Sequence, residues 1–591
     1  MRRRWSGLCV ACLLALHALL VAWGAVVHSP VVDEVGHLPA GVSHWKFGQF
    51  TLYKVNPPLV RMVAALPVVA VDPDIEWEAF YAHPIYRPEF SLGLDFIRVY
   101  KARALEMFTW ARWACLPWTV LGGYVCYRWA RSLYGEASGV LAAALWCTCP
   151  NILGNAQLIT PDLGAAAMGA AACFAYSRWI ASPSWRGAIV AGMLFGLAQL
   201  TKFTWLVLPP LWFVLWLAIR IAQRAYRSPR DLAGQFAQLA FAYALGVYVI
   251  NLGYGFEGSG ERLGDYAFVS CALSGQAAYP RDAQPTANRF AGSWLGRIPV
   301  PLPRNYVLGI DRQKLDFERP WWSFLAGEWR AGGWWYYYLY ALAIKVPLGT
   351  WLLIFLSLLV RLLVRGYGAT LAQELVLLAP AAAVLALVSS QTAINLFMRY
   401  VLPIFPFAFV WASSVARALP KRHWPIAAIV TVGLSWSAVS SLSAYPHNLS
   451  YFNELAGGPR GGHKYLSHSN TDWGQDLLLL RHWLDRHPEA RPMAFAVEMT
   501  TGVQTTLGQP IVAPPPGPDS VPPPHPALIL GPRPGWYAVS VNRLHDRSRE
   551  YAYFERFRPV AMAGYSIYIY NISLDEANRV RRELGLPELP G

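Results

Sequence analysis

Two adjacent carboxylates, Asp33 and Glu34, open the loop that follows the first long apolar run, and Lys54 and Asn56, ahead of Pro57-Pro58, come later in the same loop. Neighbouring carboxylates repel, so one of them holds its proton more tightly or finds a cation. Beside an apolar surface such a group can act as a general base; the plainer reading is a helix cap. Asp162, after Leu-Ile-Thr-Pro, stands at the start of another apolar run, with a proline and an acid at what would be the positive end of a helix. It too is either a cap or a second acid. Lys202 lies between two apolar runs, and Arg399 with Tyr400 opens a later one, Phe-Met-Arg-Tyr-Val-Leu-Pro. Either cation alone could snorkel to an interface. Taken together, beside two acid sites, they suit an anionic ligand, for arginine grips phosphate with two donors. Arg304, Arg312 and Lys314 are weaker candidates of the same kind.

Other chemistries find less support. His37 and His44 follow the acid pair, but no His-x-x-x-His or cysteine-rich spacing marks a metal site. Gly-Gly-Pro-Arg-Gly-Gly (457–462) lacks the Gly-Lys-Ser/Thr of a phosphate-binding loop and reads as a turn. Seven of the eight cysteines sit in or near apolar runs, which is neither a disulfide framework nor a zinc pattern.

The elements that must position these groups are membrane helices. Of 591 residues, 55% are hydrophobic and 14% charged, with 27 tryptophans, and the mean hydropathy is +0.28. A soluble chain of this size carries more charge, and tryptophan collects at membrane interfaces. About eleven runs are long enough to cross a bilayer: near 8–27, 108–127, 137–154, 163–181, 187–201, 203–220, 236–254, 336–360, 371–390, 400–416 and 424–443. The first follows Met-Arg-Arg-Arg, and with no small-residue cleavage site it reads as an uncleaved anchor. The net charge of +15 falls largely in alternate short loops: Arg128 and Arg131; Arg178 and Arg186; Arg220, Arg224, Arg227 and Arg230; Arg361 and Arg365; Arg417, Lys421 and Arg422. That is a topology signal with no nucleic-acid recognition motif beside it. It places the N-terminus in the cytoplasm and, with an odd number of spans, the C-terminus outside. Asp33, Asp162, Lys202 and Arg399 then share the outer face.

Residues 1–443 are expected to form an all-α polytopic domain with external loops 28–107 and 255–335, and 444–591 a small extracytoplasmic α/β domain. Pro-Pro-Leu-Val-Arg-Met-Val-Ala-Ala-Leu, from residue 57, is apolar but short, as in an interfacial or re-entrant helix. In the tail, an amphipathic helix is expected over 472–485. Strands are expected in Met-Ala-Phe-Ala-Val-Glu-Met, Ala-Leu-Ile-Leu-Gly, Trp-Tyr-Ala-Val-Ser-Val and Tyr-Ser-Ile-Tyr-Ile-Tyr-Asn-Ile, with a Pro-rich linker among them.

The Asp-Glu pair in the first external loop, the Pro-Pro-Leu segment after it, the acid after the third span and the Arg-Tyr-x-x-Pro at a late span resemble the GT-C glycosyltransferases. The nearest likeness is to the protein O-mannosyltransferase and aminoarabinose transferase superfamily (glycosyltransferase family 39-like), over roughly residues 1–440. His-Ser-Asn-Thr-Asp-Trp-Gly-Gln-Asp-Leu in the tail resembles a segment of bacterial members. The resemblance implies Asp33 as catalytic base, Glu34 as its neighbouring acid and Asp162 as a second acid near the acceptor. It places Arg399 and Tyr400, with Lys202, Lys54 and Asn56, near the donor phosphate. This chain has Asn56 where the family often has a basic residue or histidine before Pro-Pro.

The implied activity is an inverting hexosyl or pentosyl transfer from a polyprenyl-phosphate sugar to a protein, lipid or glycan acceptor, at the outer face of a bacterial cytoplasmic membrane. No cofactor is required, although a divalent metal is compatible with it. A transporter or flippase for a lipid-linked sugar is the alternative; it calls for charged or broken segments at mid-membrane and repeated halves, and neither is visible. A reporter fused after Gly591 is expected to read as external; a cytoplasmic signal contradicts the eleven-span count.

Overall fold

The computed structural model describes residues 2–75, 77, 87–224, 228–277, 287–364, 368–421, 424–498, 506–508, 510–520 and 529–590. The loop cations Arg227, Arg365 and Arg422 and part of the Pro-rich stretch lie outside the described residues. The chain is a mostly helical, multi-pass membrane protein with small sheets. Each of the eleven apolar runs is helical over most of its length. Among the described residues six helices are long and apolar enough to cross a membrane, or up to eight if each of two bent pairs is one span. The expected 137–154 run is one such pair, Glu136–Thr148 with Pro150–Ala156, bent by 58°. The 336–360 run is the other, Tyr337–Lys345 with Leu348–Leu363, bent by 109° at Pro347. The 108–127 run is divided between Ala102–Ala114 and Leu116–Tyr134.

The first loop folds into helices stacked on the end of the bundle. Val32–Phe47 is buried along most of its length and packs on Leu59–Val69 and Pro88–Tyr100. Glycines allow both approaches: a Cβ at Gly93 would run into the Val35 carbonyl, and one at Gly41 into the Arg61 carbonyl. Leu59–Val69 is the short apolar helix expected after Pro57-Pro58. Buried Arg61 closes the turn before it by donating to the carbonyls of Tyr53, Asn56 and Pro57.

A buried ion pair joins these pieces to the bundle. Glu34 accepts Arg112 Nε at 2.9 Å and Nη2 at 2.6 Å, and both side chains are essentially inaccessible. The remaining Arg112 donors go to the carbonyls of Ala25, His28 and Ser29, where the first span ends. Glu34 also accepts the backbone N–H of Val31 at 2.9 Å and of Ile159 at 3.0 Å. The cap expected of the acid pair therefore falls to Glu34.

In the tail, a four-stranded sheet runs from edge to edge as Met493–Ala496 (β3), Gly535–Ser540 (β4), Ile567–Ile572 (β6) and Ala561–Ala563 (β5). Strand β3 is parallel to β4 and the other pairs are antiparallel. Leu477–Arg486 and Leu574–Glu583 complete the α/β unit. The tail helix starts at Leu477, not at Asp472, because residues 473–477 bond to another part of the chain. Ser29 N–H donates to Gln475 O, Val32 N–H to Trp473 O, and Ser29 Oγ to Gly474 O. The described part of Ala-Leu-Ile-Leu-Gly is not strand. A hairpin in the second loop, Trp322–Leu325 (β1) with Glu328–Ala331 (β2), was not foreseen.

Removing one partner of a buried ion pair strands the other charge. Glu34→Ala is expected to cost about 3–5 kcal/mol of stability, read as a lowered unfolding midpoint in detergent, with activity falling in step with the folded fraction.

Candidate active site

Asp33 lies in the first turn of Val32–Phe47, one residue before the anchored Glu34. Consecutive helical residues diverge by about 100°, so burying Glu34 leaves Asp33 free to face elsewhere, and it faces a cavity. Asp162 sits in the first turn of Pro161–Ala181, three residues after Ile159, whose N–H Glu34 also holds. Lys202 stands in the break between Trp185–Gln199 and Phe203–Val207. Arg399 belongs to the 3₁₀ turn Met398–Ile404, positioned by Asn470, which accepts the Met398 N–H at 2.9 Å.

These groups meet. Arg399 Nη1 is 2.8 Å from Asp33 Oδ2 and 3.4 Å from Asp162 Oδ2, bridging the two carboxylates. Lys202 Nζ lies 2.5 Å from Asp162 Oδ1 and 4.7 Å from the centre of the Tyr400 ring. Asp162 is fully buried, whereas Asp33 keeps 19% of its side-chain surface exposed. The carboxylate with access is thus Asp33. Neither aspartate caps its helix with its side chain; both are spent on cations. The cavity that Asp33, Asp162, Lys202, Arg399, Tyr400 and Asn56 line has a volume of about 390 Å³. Arg399 Nε is buried there with no hydrogen-bond partner, a donor still open to a ligand.

Two of the expected residues are not brought into it. Glu34 is held by Arg112, as above, and does not reach the cavity wall. Adjacent position in sequence suggested shared chemistry, but helical geometry separates the pair. Lys54 is likewise absent from the lining; burial, then the charges of Arg312 and Arg304, lowers its ammonium pKa. His37 lies against Tyr53, 4.1 Å between ring centres and tilted by 35°, with no hydrogen-bond partner for either nitrogen. Burial, then Arg61, Arg399 and Arg87, pushes its imidazole well below the ordinary value, so it stands there as a neutral ring. His44 bonds through Nδ1 to the Gln49 carbonyl. Neither histidine joins the acid pair.

Three contributors escaped the sequence reading. Arg87 and Asp316 line the same cavity, and Arg87 Nε sits 2.5 Å from Glu89 Oε1. Trp473, from the tail, lays its ring 4.2 Å from the Arg399 guanidinium carbon. Its own carbonyl accepts from Val32 N–H, and those of Gly474 and Gln475 in the same His-Ser-Asn-Thr-Asp-Trp-Gly-Gln-Asp-Leu segment accept from Ser29, as described above. That segment therefore clasps the start of the Asp33 helix and covers the key arginine.

A second, apolar cavity of about 400 Å³ adjoins the first. Phe203, Leu206, Val207, Ile310, Phe317 and Val388 contribute its walls, with Lys314 on its rim. Lys202, Gln313, Ile394 and Tyr400 belong to both cavities. A charged chamber and a greasy groove thus lie on either side of one shared wall.

Residues 106–248 match the family profile described as dolichyl-phosphate-mannose-protein mannosyltransferase, a stretch that holds Arg112, Asp162 and Lys202. The resemblance drawn from the motifs meets that match there. No curated protein sequence matches the chain. Among solved structures, ArnT from Cupriavidus metallidurans bound to undecaprenyl phosphate is similar with a TM-score of 0.44 at 12% identity, covering 95% of this chain and 97% of that one. The same protein in the apo state gives 0.44 at 14% identity, over 96% and 98%.

Stacking on an aromatic face holds a desolvated guanidinium by about 2 kcal/mol. Trp473→Ala is expected to lower kcat about tenfold or more while the protein stays folded, and Trp473→Phe to restore most of it, in a steady-state transfer assay.

Proposed function

We propose that the protein transfers a sugar from a polyprenyl-phosphate donor to an acceptor hydroxyl or amine at the extracytoplasmic face, with inversion, and with Asp33 as base. The observation that carries this reading is the shared wall of Lys202 and Tyr400, which sets a chamber of opposed charges beside an apolar groove. A ligand suited to both halves has an anionic head and a long apolar tail. The match of residues 106–248 to a family named for a lipid-phosphate sugar donor supports the same class.

In this reading the prenyl chain lies along Phe203, Val207 and Phe317, and the phosphate reaches Lys202 and the unpartnered Nε of Arg399. The Asp33 carboxylate removes the acceptor proton as its oxygen or nitrogen attacks the anomeric carbon. The new bond forms on the face opposite the phosphate, the bond from anomeric carbon to phosphate oxygen breaks, and that oxygen keeps the electron pair. The departing polyprenyl phosphate gains one negative charge, which the two cations offset. Asp33 later returns its proton to solvent. Asp162 holds Lys202 and Arg399 in place, and Tyr400 contributes an aromatic wall beside both. Charge neutralisation by Arg399 and Lys202 leaves the transfer without need of a metal. Hexosyl and pentosyl donors, and protein, lipid or glycan acceptors, all fit the class. The site is read as facing the outside of a bacterial inner membrane.

A general base is worth about 10²–10⁴ in rate. Asp33→Asn is expected to lose that factor in kcat with purified polyprenyl-phosphate sugars while donor binding stays within a few-fold; Arg399→Ala is expected to weaken donor binding itself. Full turnover by Asp33→Asn removes it as base.

A further inference from the structure

The clasp between the tail and the first span contains a cluster that the transfer chemistry does not use. His28 follows the first span, His447 follows the last, and Asp476 ends the clasp segment. His28 Nε2 lies 3.2 Å from His447 Nδ1, and each of these nitrogens lies 3.7 Å from Asp476 Oδ1. A point equidistant from the three atoms is about 2.1 Å from each, the length of a zinc–nitrogen or zinc–oxygen bond.

The surroundings prepare the three atoms as ligands. His28 Nδ1 lies 3.0 Å from the Gly24 carbonyl, which can only accept, so the ring proton sits on Nδ1 and the Nε2 lone pair faces the cluster. Asp476 Oδ2 accepts from Ser566 Oγ at 2.8 Å, fixing the carboxylate. Asp476 Oδ1 is fully buried, and its nearest polar neighbours are the two imidazole nitrogens at 3.7 Å, too far for a normal hydrogen bond, a costly state for a carboxylate oxygen. Gly564 makes room, since a Cβ there would strike the Asp476 carboxylate.

We propose that His28, His447 and Asp476 bind a zinc ion that fastens the tail domain to the membrane bundle. Two imidazoles and a carboxylate are a zinc donor set, and water would complete a fourth position. The separations of 3.2 and 3.7 Å are wider than the roughly 3.0 Å between neighbouring ligands of an octahedral ion. The ion would tie residue 476 to the ends of the first and last spans, and so hold Trp473, three residues earlier, over Arg399. Its role is structural and does not depend on the sugar transferred.

The test uses the full chain in detergent, stripped with a chelator and dialysed against micromolar Zn²⁺. Elemental analysis is expected to find about one zinc per chain, and X-ray absorption only nitrogen and oxygen ligands near 2.0–2.1 Å, two of them imidazoles. His447→Ala and Asp476→Asn should each lose the bound zinc. Ser566→Ala, which removes no ligand, should weaken its affinity about tenfold or more. His545→Ala, at the separate His463–His545 contact, should keep it. Chelation should lower the thermal midpoint of the unaltered chain. The proposal is overturned if folded protein binds no stoichiometric zinc, if His447→Ala and Asp476→Asn both retain it, or if the absorption spectrum shows sulfur.

Discussion

The Glu34–Arg112 pair uses all the guanidinium N–H groups and ties together the end of the first span, the start of the Asp33 helix and the backbone just before Asp162. Such a pair, taken wholly out of water, gives little net stability. What it provides is position. Asp33 and Asp162 come from elements more than a hundred residues apart, and one carboxylate between them fixes the backbone near both. The aspartates can then share Arg399 without either being needed to hold its own helix.

Around that joint the charges are arranged as an amphiphilic site. Acids and cations alternate at the chamber end, and the lysine that neutralises Asp162 also begins the wall of the apolar groove. Buried like this, Asp162 demands its cations, so their placement survives without ligand. Arg399 remains only partly committed, with Nη1 on both acids and Nε unpaired. The tail domain contributes through a short clasp, whose Trp473 covers that arginine and whose Asn470 sets its backbone.

Much of this was legible in the residues. The apolar runs are compositional, and the structure makes all eleven helical, though bends at Cys149 and Pro347 break two of them in ways that hydropathy does not record. Asp33, Asp162, Lys202 and Arg399 were found because charge in alternate loops put them on one face. The split between Asp33 and Glu34 was not legible, since the partner that decides it, Arg112, is 78 residues away. Arg87 and Asp316 looked like ordinary loop charges. Trp473 was read into a helix, although Gly474 after it disfavours one, and in the structure that glycine takes φ of +87°. The β1–β2 hairpin turns at Ala326-Gly327, both with positive φ; the glycine was a faint cue, and alanine, which seldom takes that conformation, hid the turn.

The central claim is that one site takes the phosphate between Arg399 and Lys202 and the prenyl tail in the groove beyond Tyr400. The most direct measurement is an experimental structure of the chain with a polyprenyl phosphate bound. The account predicts phosphate density within hydrogen-bonding distance of Arg399 Nε and Lys202 Nζ, with the chain running past Phe203 and Phe317. Density for the lipid elsewhere, with the Asp33–Arg399–Asp162 bridge undisturbed and the groove empty, would contradict it.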